Sequence, residues 1–232
     1  MDSEKLSQEY WEQVPQSELP QFATNEKTAG EVEKLGSFLK KTDNILDVGC
    51  GWGRITCALA MKGYNVTGMD LSENLVEYGR EYANKAGLRI QFHIGSVLNL
   101  PYDNESFDRI ICLWGVFSHL LTPKDQVNAL NEMYRVLKRN GLSFIETSNG
   151  ESKRYKHIVA TRGYGHEGRV WDFQFKESSP PNVLYIHDRR TMTSISRKSE
   201  FEGFRVKFQN INHKRRLVAY LFKMKNGSSY EF

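Results

Sequence analysis

"NILDVGCGWGRIT", residues 44–56, sets Gly49, Gly51 and Gly53 between a short apolar run and the start of a helical pattern. A strand, a glycine loop and a helix in that order let backbone approach a nucleotide-like ligand at a helix N-terminus. The dinucleotide fingerprint G-x-G-x-x-G does not fit, because Arg54 stands at its third glycine and Gly53 arrives one residue early. An acid does follow at the expected distance: Asp70 lies 21 residues after Gly49.

Outward from this loop, strand and helix patterns alternate. "NILDV" reads as a buried strand and "RITCALAMKG" as a helix stopped by Gly63. "NVTGMD" is a second strand, and Ser72 caps a helix whose apolar face holds Leu75, Val76, Gly79, Tyr82, Ala83 and Ala86. "RIQFHIG" and "FDRIICLWG" are further strands. Thr122-Pro123 opens a helix with Val127, Leu130, Tyr134 and Leu137 on its apolar face, which Gly141 ends before the strand "LSFIET". This rhythm predicts an α/β fold, a Rossmann-like doubly wound sheet, mostly parallel. The glycine loop, Asp70, Ser96 and Trp114 all fall at strand C-termini, where such sheets place their ligand crevice.

Past Asn149 the rhythm breaks. "ESKRYKHIVATRGYGHEGRVWDFQFKESSPPN" is polar and aromatic, and reads as an inserted lid or β-ribbon with strands in "RVWDFQF" and "VLYIH" around the "SSPP" turn. A helix near 189–200 follows, then strands "FRVKFQNI" and "LVAYLFKMK", which a short turn sets antiparallel. The expected organisation is an N-terminal helical cap over 1–41, a ligand-binding core over 42–148, an inserted substrate segment over 149–188, and a C-terminal helix with antiparallel strands over 189–232.

Bulk properties narrow the class. The 232 residues suffice for one sizeable domain, and no window is long and apolar enough to span a membrane. The charged opening "MDSEKLSQEYWEQ" predicts no secretory signal, and Cys50, Cys57 and Cys112 lack CxxC spacing, so reduced core thiols and a cytoplasmic location are expected. The net charge of +4 combines −5 over residues 1–150 with +9 over 151–232. The basic third reads first as solvated surface, and otherwise as a face for an acidic partner.

The strings "LDVGCGWGR", "VTGMDLSENLVEYGREYA", "GSVLNLPYDNESFDRIICLWGVFSHL" and "LNEMYRVLKRNGLSFIE" stand in an order and spacing that resembles the class I S-adenosylmethionine-dependent methyltransferases. The similarity is to their small-molecule branch, typified by ubiquinone/menaquinone-biosynthesis-like enzymes, and "FEGFRVKF" resembles that family's ending. It implies S-adenosyl-L-methionine as cofactor and methyl transfer to O, N or C of a small-molecule acceptor. It implies that Gly49, Cys50 and Gly51 cradle the methionyl part, with Asp47 holding the loop and the ammonium. Asp70 would take the ribose hydroxyls, Leu71 the adenine face, Val97 the adenine ring through its N–H, and Leu113 with Trp114 the methionine side. Many family members carry Asp at the position of Ser96, so the adenine contact there is weaker or falls to a neighbour.

No catalytic signature is expected, because methyl displacement from a sulfonium needs a base only when the acceptor's proton leaves early. Candidates on the acceptor side are His119, and Tyr164, His166 and Glu167 of "RGYGHEG". Tyr10 and Trp11 belong to a cap helix, and Trp52 with Trp114 read as packing aromatics. No (D/N)-P-P-(Y/F) follows strand four, where "LWGVF" stands, which argues against methylation of DNA amines or glutamine amides. No Asp ends that strand to begin a magnesium site, so no metal is expected. The alternatives are an RNA or protein methyltransferase using "DRR", "SRK" and "HKRR", and a non-catalytic cofactor-binding partner protein. The oligomeric state is open.

Overall fold

A computed structural model describes residues 2–15, 17, 19, 25–147, 149–165, 169–173, 182–211 and 214–224. Helices α1 (Ser3–Glu12) and α2 (Asn25–Gly36) precede an alternating run: β1 (Asn44–Val48), α3 (Arg54–Met61), β2 (Asn65–Asp70), α4 (Glu73–Lys85), β3 (Gln91–Ile94) and β4 (Phe107–Cys112). A 3₁₀ turn, Val116–His119, leads to α5 (Pro123–Val136) and β5 (Leu137–Thr147). Then come α6 (Lys153–Arg162), β6 (Gly163–Gly165), β7 (Val170–Phe173), β8 (Asn182–Tyr185), α7 (Arg189–Lys198), β9 (Gly203–Ile211) and β10 (Lys214–Phe222).

Seven strands form one sheet in the order β3-β2-β1-β4-β5-β10-β9. The first five run parallel, and β10 runs antiparallel to both β5 and β9. Both faces of this sheet are covered, so its central strands bury apolar residues on both sides rather than at alternate positions. Consecutive residues divide between two cores: Leu46, Ile110, Ile145 and Leu217 pack beneath α5 and α7, while Ile45, Ile111, Phe144 and Val218 pack beneath α2 and α3. The order reverses between β1 and β4, and there the loops after the two strands part to leave a crevice.

Local signals place the helices. Ser72 Oγ accepts from Leu75 N–H, Thr122 Oγ1 from Asp125 N–H with Pro123 in the first turn, and Asp188 closes a capping box with Thr191. Three expectations are corrected. Tyr82 is 38% exposed and stands against the Trp52 ring at 5.4 Å, outside the buried face of α4. The buried face of α5 runs through Ala129, Leu130, Met133 and Val136, leaving Val127 and Tyr134 at its margin. That helix ends at Val136 instead of Gly141, and β5 begins at once. The reason is distant in sequence: Lys223 Nζ donates to the carbonyls of Tyr134 and Leu137 at 3.1 and 2.8 Å and so caps the last turn.

The segment after β5 contains α6, which the sequence pattern does not announce, and a three-stranded antiparallel sheet of β6, β7 and β8. The "SSPP" turn lies outside the described residues. Strand β8 packs against α1 and the Val116–His119 turn, beside the crevice.

Candidate functional site

The glycine loop is strapped to the end of β2. Gly49 N–H and Cys50 N–H both donate to the Met69 carbonyl, at 2.7 and 2.9 Å. Gly51 N–H donates to Asp70 Oδ2 at 2.7 Å, and Ser72 N–H to Asp70 Oδ1 at 3.0 Å. Asp70 thus fixes the loop through both oxygens, and each oxygen can still accept from a ligand beyond it. The glycines are required for different reasons. Gly49 has φ +69°, and a Cβ there would lie 2.3 Å from Val116 Cγ1, so packing alone excludes a side chain. Gly51 has φ +55° but its Cβ would meet nothing nearer than Leu75 Cδ1 at 4.0 Å, so it opens onto free space.

That space is a cavity at the C-terminal edge of the sheet. Asp47, Gly49, Cys50 and Gly51 line one side, Asp70, Leu71 and Val97 the next, and Leu113 and Trp114 the third. Ser96 is the one predicted cofactor residue outside the lining; its Oγ donates to Glu4 and accepts from Leu98 N–H at 2.9 Å.

Asp47 is buried and accepts from Thr56 Oγ1 at 2.7 Å. Burial pushes its carboxyl up to about 7, against the opposing pull of that hydrogen bond and of Arg54. Asp70 is raised by burial too, with the Ser72, Gly51 and Leu71 amides acting against it. A cation entering the cavity would relieve both, because it favours the charged form of each carboxyl. Burial also raises the thiols of Cys50, Cys57 and Cys112, so all three are neutral.

The third side depends on a residue the sequence pattern gave no reason to choose. Glu31 of α2, 5% exposed, accepts from Trp114 Nε1–H at 2.8 Å and pairs with Arg54 Nη1 at 2.6 Å. Arg54 lies 4.5 Å over the Trp114 ring, and Arg216 lies 6.0 Å from it while pairing with Glu146 at 3.0 Å. Trp114 is held in the left-handed region at φ +58° by these contacts, with 38% of its surface open. Burial lifts Glu146 to about 7 despite Arg216.

Helix α1 closes the cavity with Ser3, Glu4, Ser7 and Trp11, residues that share one helical face. Only Trp11 among them stood out in sequence, because the face is mostly polar. His119 lines the cavity under Trp11, ring centroids 6.1 Å apart. Its Nδ1 is buried with no hydrogen-bond partner, and burial lowers the imidazole to about 4. Tyr164 belongs to β6, and His166 and Glu167 lie outside the described residues. A separate buried group, His187 with Ser118 and Thr147, sits behind the Val116–His119 turn.

Residues 45–141 match the profile of a family described as a methyltransferase domain. A ubiquinone biosynthesis O-methyltransferase of Rickettsia prowazekii is 32% identical over 163 residues, 69% of this chain and 63% of that protein. A demethylmenaquinone methyltransferase of Listeria welshimeri is 34% identical over 142 residues, 59% of this chain and 58% of that one. The chain therefore spans less than two thirds of the length of these curated relatives. A crystal structure described as a SAM-dependent methyltransferase from Methanosarcina mazei shares the fold, with a TM-score of 0.69 at 20% identity over 83% of this chain and 98% of that one.

Proposed function

We propose that this chain is a class I S-adenosylmethionine-dependent methyltransferase, transferring a methyl group from that cofactor to a small-molecule acceptor of the quinone-precursor kind its relatives' names carry. The observation that carries this reading is a cavity at the sheet's switch point, lined by the Gly49–Gly51 loop, by the carboxyls of Asp47 and Asp70 with Glu4 opposite, and by a fixed aromatic plane. The donor set suits the cofactor. Gly51 leaves the room that a side chain would fill, Asp70 has lone pairs for both ribose hydroxyls, and Asp47 is a carboxyl that a nearby cation would ionise.

When bound, S-adenosylmethionine would supply an electrophilic methyl group, because its sulfonium leaves as the neutral thioether S-adenosylhomocysteine when the carbon–sulfur bond gives way to a bond with the acceptor atom. The protein's contribution is position, worth about 7–11 kcal/mol when reactants are held in contact. Gly49, Cys50 and Gly51 would hold the methionyl part, Asp70 the ribose, and Leu71 and Val97 the base. Trp114, locked by Glu31, Arg54 and Arg216, would offer a fixed aromatic wall to the bound groups. His119 is neutral at pH 7, and its unused Nδ1 accepts a hydrogen bond from an acceptor hydroxyl and so orients that oxygen. Residues 1–41 serve as the cap, 42–148 as the cofactor core, 149–188 as the acceptor-side segment and 189–232 as the completion of the sheet. A cytoplasmic setting belongs to this reading, supported by three unbridged cysteines.

Labelled-methyl transfer into fractionated extract, with nuclease, protease and size-filtration arms, tests the proposal. Label is expected in a small, nuclease- and protease-resistant fraction. Label in nucleic acid or protein overturns the acceptor class, and absence of any labelled product overturns the enzyme.

A further inference from the structure

Helix α1 is fastened to the cavity at three points. Ser3 Oγ donates to Asp125 Oδ2 at 2.9 Å and accepts from Leu121 N–H at 3.0 Å. Trp11 lies against His119. Between them, Glu4 accepts the hydroxyl proton of Ser96, whose oxygen is itself fixed by Leu98 N–H. Ser96 has one proton to give, so its hydroxyl orients Glu4 and nothing else. Glu4 lines the cavity, and among the described residues no lysine or arginine pairs with it.

Among the described residues, three carboxyls line the cavity: Glu4, Asp47 and Asp70. Asp47 is turned to Thr56 and Asp70 to the Gly51 amide, so both serve the glycine-loop end. Gly95 N–H donates to the Asp70 carbonyl at 2.9 Å, which places Ser96 and Glu4 immediately beyond the ribose position. The walls there, Leu71 and Val97, are apolar, which suits the faces of a purine. The edge of adenine carries an amino group with two hydrogens, and a buried donor left without an acceptor is costly.

Resting on the cofactor reading above, we propose that Glu4 is a cofactor-binding residue. Held by Ser96, it accepts a hydrogen bond from the exocyclic amino group of adenine. The helix that covers the cavity is then part of the cofactor site, and cofactor and helix stabilise each other reciprocally.

Calorimetry on the full chain tests this with two probes: S-adenosylhomocysteine, and its analogue with hydrogen in place of the 6-amino group. The wild type should favour the amino compound by about tenfold or more, as expected for a hydrogen bond to a charged acceptor. Glu4→Ala should bring the two affinities to within about twofold, and Glu4→Gln, which keeps an acceptor oxygen, should restore part of the preference. Loosening of α1 in the Ala variant would weaken both probes together and leave their ratio unchanged, so the ratio reads the contact itself. A wild type indifferent to the amino group, or an Ala variant that keeps the full preference, overturns the assignment of Glu4. Failure of both probes to bind the wild type overturns instead the cofactor reading on which it rests.

Discussion

Gly49 and Gly51, two residues apart in one loop, separate the demands of folding from those of binding. A Cβ at Gly49 would lie inside Val116, in a turn whose φ already disfavours a side chain, whereas one at Gly51 would enter open cavity. Gly49→Ala should therefore destabilise the fold by several kcal/mol, through overpacking and backbone strain together. Gly51→Ala should lose about 1–2 kcal/mol from its left-handed backbone, keep a native circular dichroism spectrum, and weaken S-adenosylhomocysteine by at least about tenfold. Denaturant melts and calorimetry on the two variants check the contrast; equal losses of stability would refute it. The glycines were legible because a strand–loop–helix pattern is local. Their different reasons were not, since Val116 reaches Gly49 only through the pairing of β1 with β4.

Among the elements, the strands and helices of the core were legible from periodicity and caps, because each is specified by residues within a turn or two of itself. Where α5 ends was not legible, since its cap is Lys223, 86 residues beyond Leu137. Glu31 and Glu4 were missed for the same reason: their partners, Trp114 and Ser96, lie 83 and 92 residues away. The segment between β5 and α7 leaves and returns at one point, where Gly150 N–H donates to the His187 carbonyl at 3.0 Å. Excising residues 152–185 and joining the ends with a short Gly/Ser linker should weaken S-adenosylhomocysteine by no more than about tenfold, because Asp47, Gly51 and Asp70 are untouched and only the packing of β8 on α1 is lost. Methyl transfer should fall by at least about a hundredfold as the acceptor side is lost. Retained turnover and acceptor preference would remove that role from the segment.

For the whole molecule, the cations of the C-terminal third are partly committed inside the fold. Arg216 pairs with Glu146, Lys223 caps α5, and Arg189 and Arg215 lie over Phe208 at 4.8 and 4.5 Å. Burial sets two opposed proton linkages. His119 and His187, lowered to about 4 and about 3, give stability that is complete above their ordinary value of 6.5 and is lost as pH falls. Asp47 and Glu146, raised to about 7, give stability that is complete below their ordinary values of 3.8 and 4.5 and is lost as pH rises to 7. Between pH 5 and 6 these four groups nearly cancel. Glu146→Gln removes one falling contribution, so relative to wild type its stability should rise with pH across that window, by up to about 1.4 kcal/mol per pH unit. Urea melts at pH 5 and 6 measure the difference, and parallel profiles for the two proteins would exclude it.

The sequence by itself determined the alternation of strands and helices, the glycine loop, and the gathering of that loop with Asp70 and Trp114 at one edge, where it also set Ser96, which lies outside the cavity lining because the fold turns it to Glu4. These follow from short-range periodicity and from the rule that parallel strands all end on the same side. Only the tertiary structure decided what stands across the cavity from them. The polar face of α1, the carboxylate of Glu31 and the sealed Nδ1 of His119 have no periodic signature. Their chemistry arises from burial and from partners that the chain brings together only when the sheet has formed.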